Sequence, residues 1–106
     1  MQTNSLKNPT VKAAIEALQN GDREAWTALF EPNAKLYDDG NPRNLDKFTN
    51  DALGHERFTS IDKIENNGLD IEGEFHTEAW GDFRSYFRFQ LGSTGKIHRL
   101  DIGQAE

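Results

Sequence analysis

Residues 83 to 91 alternate without interruption. Phe83, Ser85, Phe87, Phe89 and Leu91 fall on one side, and Arg84, Tyr86, Arg88 and Gln90 on the other. A period of two sustained over nine residues is a strand with one face buried and one face wetted. Such a strand needs neighbours for its backbone and a cover for its apolar face. Before it, Leu69, Ile71, Gly73 and Phe75 alternate with Asp70, Glu72 and Glu74. After it, His98, Leu100 and Ile102 alternate with Ile97, Arg99 and Asp101. The connections, around Trp80-Gly81-Asp82 and Gly92 to Gly95, are too short for a crossover, so the three strands are expected to be antiparallel neighbours.

The chain ahead of these strands supplies the cover. Val11, Ala14, Ile15 and Leu18 share one face of a helix, with Asn8 as its N-cap, Pro9 at its first position and Asn20-Gly21 at its end. Asp22 caps a second helix whose inner face is Ala25, Trp26, Leu29 and Phe30, and Pro32 is expected to stop it. Ala34 to Asp38 reads as a short strand and Asp39-Gly40-Asn41-Pro42 as a run of turn residues. Leu45, Phe48, Ala52 and Leu53 give a third helix, closed by Gly54. Phe58, Ile61 and Ile64 are three apart, so Arg57 to Glu65 reads as one strand carrying a bulge, and Asn66-Asn67-Gly68 as a turn. Helices followed by a meander predict an α+β fold: three helices in the hollow of a strongly curved, mainly antiparallel sheet.

A chain of 106 residues is expected to form one domain over 1–106. The formal net charge of −6 argues against nucleic acid as a partner. With no cysteine, disulfides, thiolate catalysis and cysteine-based zinc sites are excluded. The polar start, Met1 to Lys7, predicts no signal peptide, and the absence of a long apolar run predicts no membrane span, so the expected location is cytoplasmic. His55, His76 and His98 share no ligand spacing, so neither a metal nor another cofactor is expected.

The order of elements resembles the nuclear transport factor 2-like superfamily and, within it, the SnoaL-like and ketosteroid isomerase-like proteins. The residues that carry the resemblance are Asn20-Gly21-Asp22 after the first helix, Trp26-Thr27-Ala28-Leu29-Phe30, Ala34-Lys35-Leu36-Tyr37-Asp38, and the closing Gly95 to Ile102. It implies a cone-shaped, cystatin-like fold with a pocket for a small apolar or amphipathic molecule. It also implies a homodimer through the outer sheet face, where Arg84, Tyr86, Arg88 and Arg99 lie. The fold hosts isomerases, cyclases, dehydratases and pure binding proteins, so it does not select among them.

By the same resemblance Asp38 stands where the isomerases place their general base. In an apolar pocket its charged form would be destabilised and its pKa raised, which suits proton transfer. The competing reading of Asp38-Asp39-Gly40-Asn41 is a solvated turn. The rest of the isomerase pattern is absent: Ala14 stands where the oxyanion-donating tyrosine would be, and no carboxylate lies around Ser85. Steroid isomerisation is therefore not expected. His98 is expected on the inner face with Leu100 and Ile102, as a proton carrier or as a hydrogen-bonded core histidine. Trp26, Phe30, Tyr37, Ser85 and Phe87 are expected to line the pocket, with Leu100, Ile102 and Gln104 from the last strand. Two functions stay open: a cofactor-independent lyase, isomerase or cyclase using an acid–base carboxylate, and a non-catalytic ligand-binding or dimeric assembly domain.

Overall fold

In the computed structural model, which describes residues 3–105, the Asn8 side chain accepts the backbone N–H groups of Thr10 and Val11 and opens helix α1, Pro9–Asn20. Met1, Gln2 and Glu106 lie outside the described residues. Asp22 caps α2, Arg23–Ala28, and Asn44 caps α3, Leu45–Ala52, each by accepting one backbone N–H. α1 buries Val11, Ala14, Ile15, Ala17 and Leu18 along one stripe. Leu6, inside the stretch that reads as polar, also joins the core.

One sheet faces these helices. Its strands are β1 Phe30–Asp38, β2 Asn41–Arg43, β3 Glu56–Phe58, β4 Lys63–Glu65, β5 Asp70–Thr77, β6 Gly81–Leu91 and β7 Ile97–Gln104. The order is β2-β1-β7-β6-β5-β3, with β4 also paired to β5. The β5–β6–β7 meander is antiparallel, as its turns require, and among the described residues only the β1–β7 pairing is parallel. Phe75, Phe87, Phe89, Ile71, Leu100 and Ile102 point from the meander into the core. Phe58 stacks edge-on against Phe75 and Phe87, with centroids 4.9 and 5.0 Å apart. Trp26 is fully buried among Phe30 and Phe48, and its Nε1–H donates to Thr49 Oγ1 at 3.0 Å. Each such side chain withdrawn from water contributes roughly 1.5–3 kcal/mol.

The structure corrects four expectations. α2 ends at Ala28, and Phe30 begins β1 rather than closing the helix. Pro32 does not stop a helix; it lies within β1 where the pairing with β7 jumps from Phe30–Ile97 to Lys35–Arg99, so its missing N–H deprives no ladder. Asn41–Arg43 is a strand. Asp39 and Gly40 alone make the turn, both with positive φ (51° and 85°), the geometry that two-residue hairpins demand. The bulge expected within Arg57 to Glu65 is present: it parts β3 from β4, which both pair with β5, and residues 59 to 62 fold inward over β5 while the Thr59 and Asp62 N–H groups still donate to the Glu74 and Glu72 carbonyls.

The fourth correction concerns β7. Gln90 pairs with Arg99 but Leu91 pairs with Ile97, so His98 is an extra residue, a bulge. One extra residue reverses the in–out parity. Ile97 therefore turns into the core and His98 turns out to solvent, where Nδ1 lies 3.2 Å from Glu31 Oε1.

No helix among the described residues is long and apolar enough to cross a membrane.

Candidate functional site

Where β1, β5, β6 and β7 meet beside α3, the sheet and helices do not close. A cavity of about 500 Å³ remains. Phe48, Phe75, Phe83, Phe87 and Ile102 form its apolar surface. The strand periodicity puts them there: Phe83, Ser85 and Phe87 are the inward set of β6, and Ile102 and Gln104 stand opposite Phe87 and Ser85 on β7.

The charged side chains gather at one edge. Asp38 ends β1, and Arg43 comes back on β2 after the two-residue turn. Arg43 Nη1 donates to Asp38 Oδ2 at 2.8 Å, and the guanidinium lies 5.0 Å from the ring centre of Phe48. Glu56, at the start of β3, faces the same space. Burial pushes its carboxyl above the usual carboxylate range; the nearby charges of Asp51 and Asp38 push the same way, while Arg43 and His55 oppose. Asp39 accepts the Gln104 backbone N–H at 3.2 Å, and the buried Ser85 hydroxyl donates to the Gly103 carbonyl at 3.0 Å.

The β5–β6 hairpin forms the remaining wall. Its tip is fixed on several sides: the Trp80 N–H donates to Thr77 Oγ1 (2.8 Å), which donates in turn to the Gly81 carbonyl (3.0 Å). His55 Nδ1 and Glu78 Oε1 are 2.8 Å apart, and His76 Nδ1 and Asp82 Oδ1 are 2.6 Å apart. Trp80 is nonetheless 81% exposed over the cavity edge.

The structure thus brings together five of the residues expected from sequence: Asp38, Ser85, Phe87, Ile102 and Gln104. Asp38 does not stand among apolar neighbours alone, because Arg43 is its partner. Trp26, Phe30 and Leu100 lie elsewhere, in the packed core, because α2 and the start of β1 are covered by α1 and α3. Tyr37 points to the opposite face of the sheet, with its ring centre 4.0 Å from the Arg99 guanidinium. His98 is outside the cavity for the reason of the bulge. Arg84, Tyr86, Arg88 and Arg99 do share the outer face. There Arg84 is gripped by Asp62 and Glu72, Arg88 lies 4.3 Å from the Tyr86 ring centre, and Arg99 pairs with Asp101.

Sequence reasoning missed Arg43, Glu56, Asp82 and Phe83 among the residues that line the cavity. Asp39-Gly40 is a hairpin signal that would have folded Arg43 back beside Asp38. Asp82 and Phe83 follow Trp80-Gly81, which reads from sequence only as a strand connection. Glu56 carries no local signal, since its position depends on the long-range pairing of β3 with β5. No group of three or more His, Asp or Glu among the described residues is placed to hold a metal ion.

No family model matches the chain, and no curated protein matches it. Solved structures do. A candidate polyketide cyclase from Sinorhizobium meliloti superposes with a TM-score of 0.74 at 17% identity, over 96% of this chain and 99% of that one. A nuclear transport factor 2-like protein of unknown function from Cytophaga hutchinsonii gives 0.71 at 16% identity, over 99% and 91%. The orange carotenoid protein of Anabaena (Nostoc), in a structure binding canthaxanthin, gives 0.71 at 19% identity, over 90% of this chain and 35% of that one. A Xanthomonas campestris protein described as having a cystatin-like fold matches all of this chain at 0.71 and 18% identity, over 92% of its own length. In its helices and its mixed, mostly antiparallel sheet, this chain has the cystatin-like fold of these structures.

Proposed function

We propose that this chain binds a small amphipathic molecule in the cavity and that Glu56, at its edge, exchanges a proton with that molecule. The cavity itself carries the reading: about 500 Å³, aromatic on its inner surface, with polar groups converging on one side. That size and lining are those of small-molecule sites. A carboxyl raised by burial keeps its proton closer to neutral pH and is suited to give it up and take it back within one turnover. Asp38 and Arg43, held to each other, orient the ligand's polar end, and the guanidinium offers its remaining donors to charge that develops on an oxygen. The corresponding reaction class is a cofactor-independent isomerisation, elimination or cyclisation. A candidate cyclase and a canthaxanthin-binding protein among the structural neighbours are consistent with an apolar guest.

One observation favours a second reading, binding without turnover. Asp38, the acid that the family resemblance makes the base, is already committed to Arg43.

The test is a crystal structure of protein purified without added ligand, with mass spectrometry of its organic extract. A small molecule seated on Phe75 and Phe87 with a polar atom near Glu56 would identify a compound class to assay. Loss of turnover in Glu56→Gln with binding retained would then establish the proton transfer, and binding with no turnover in the native protein would establish the second reading. A cavity collapsed onto its own side chains would refute both.

A further inference from the structure

Three polar side chains lie buried among the described residues: Thr49, Thr77 and Ser85. A hydroxyl has one proton to give and lone pairs with which to accept. Two of the three use both capacities inside the chain. Thr49 Oγ1 accepts the Trp26 indole N–H and donates to the Leu45 carbonyl. Thr77 Oγ1 accepts the Trp80 N–H and donates to the Gly81 carbonyl. Ser85 uses one. Its partner is a carbonyl, that of Gly103 at 3.0 Å, so the serine proton is committed there. Among the described residues no N–H or O–H donates to Ser85 Oγ in return.

Position sharpens the contrast. Ser85 is 3% exposed and stands on the inward side of β6 between Phe83 and Phe87, in the cavity lining. With its proton engaged, the Ser85 oxygen is an acceptor only. A hydrogen bond made beside two aromatic rings is sheltered from water and is the stronger for it. Gln104 faces Ser85 directly across the β6–β7 pairing, and facing side chains start about 5 Å apart. The Gln104 backbone N–H is held by Asp39, while its carboxamide makes no hydrogen bond among the described residues. An acceptor and a carboxamide donor thus flank one point of the cavity wall.

We infer that the ligand of this pocket carries a hydroxyl group that donates to Ser85 Oγ and accepts from the Gln104 carboxamide, with its apolar body on Phe83 and Phe87. The inference deepens the pocket reading above and rests on it. It names the ligand class as an alcohol or a phenol and assigns Ser85 as a specificity-determining residue. A ketone or ether oxygen at the same point would set its lone pairs against those of Ser85, and a site built to receive a donor rejects an analogue that lacks it.

Three probes that differ at one substituent test it. 4-Ethylphenol donates and accepts. 4-Ethylanisole accepts only. 4-Ethyltoluene does neither, and its methyl is close to the hydroxyl in size. Each is titrated into the full chain while the amides of Ser85, Phe87 and Gln104 are followed by NMR. Burial of apolar surface alone would favour the ether and the hydrocarbon. The phenol should nonetheless bind about five- to tenfold more tightly than either. Ser85→Thr and Ser85→Val place side chains of one shape at the position, with and without the hydroxyl. The preference should persist in the first and vanish in the second, with Ser85→Ala standing in if the valine variant does not fold. Equal or tighter binding of the ether or the hydrocarbon by the native protein would overturn the inference and leave the pocket standing. So would a phenol preference undiminished in the variant without the hydroxyl, since the donor would then be read elsewhere. Loss of the preference in the threonine variant as well would tie it to volume and overturn the role of Ser85. If no probe moves these amides in the folded native protein, the pocket reading falls and this inference falls with it.

Discussion

Ser60 crosses directly over Gly73. A methyl group built on Gly73 would run into the Ser60 carbonyl oxygen and would stand 2.8 Å from the Cα of Ile61. Both obstacles are backbone, so neither can swing aside. Gly73→Ala should therefore cost roughly 1–3 kcal/mol, the range of an overpacked core. Gly92 is the control. There the obstacle is the carboxylate end of the Glu31 side chain, which can rotate away, and Gly92→Ala should cost less than about 1 kcal/mol. Urea unfolding of the two variants measures the contrast, and equal losses would refute it.

The inward fold at Ser60 is clamped from outside. Arg84 donates from Nη1 and Nη2 to the two oxygens of Asp62, at 2.9 and 2.8 Å, and Nη2 also donates to Glu72 at 3.1 Å. The Arg84 bonds to Asp62 hold the Asp62 carboxyl below its ordinary range. The native state then binds fewer protons than the unfolded chain between the lowered value and the ordinary one, so this contribution is present above that window and is lost as the pH falls through it. In Arg84→Gln the Asp62 titration should move upward, read from its side-chain carbon shift. An unmoved midpoint would dissolve the clamp.

Glu56 has the opposite sign. Burial raises its folded-state pKa, so the folded chain keeps a proton that the unfolded chain gives up. Its contribution to stability is fully present below the ordinary value and is lost as the pH rises through the raised one. Glu56→Gln has no charge to desolvate. Its stability relative to the native protein should therefore be greater at about pH 7.5 than at about pH 4. A difference that is flat with pH would show the carboxyl to be solvated.

Behind the cavity, the Trp26 indole N–H has one acceptor, Thr49 Oγ1, which itself donates to the Leu45 carbonyl at 2.9 Å. Thr49→Val keeps the shape and removes the acceptor. The stranded donor should cost about 1–3 kcal/mol in chemical denaturation. The loss should largely vanish when Trp26→Phe is combined with it, as a double-mutant cycle would register.

Much of the architecture was legible because period-two and helical patterns survive wherever a single face is buried. The β5–β6–β7 meander and the inner stripe of α1 follow from spacing alone. Phe30 was misplaced because it falls at helical spacing from Trp26, and only its pairing to β7 shows that the chain has already straightened. The site was half legible. Asp38, Ser85, Phe87, Ile102 and Gln104 reach the cavity by strand parity, whereas Arg43 and Glu56 arrive through short strands whose partners are far away in sequence. His98 failed by one residue of register, since parity inferred from Leu100 and Ile102 holds only back to the bulge.

That bulge separates the length of β7 from its chemistry. His98 fills a slot whose occupancy keeps Ile97 and Leu100 both inward, and almost any side chain could hold it, because what projects there meets solvent and the Glu31 carboxylate. Deleting the residue is a different matter. It would throw the pleat out of step like a missed cog, and would force either Ile97 or the whole run from Arg99 to Gln104 to the wrong face. At this point the fold is more sensitive to the number of residues than to their kind.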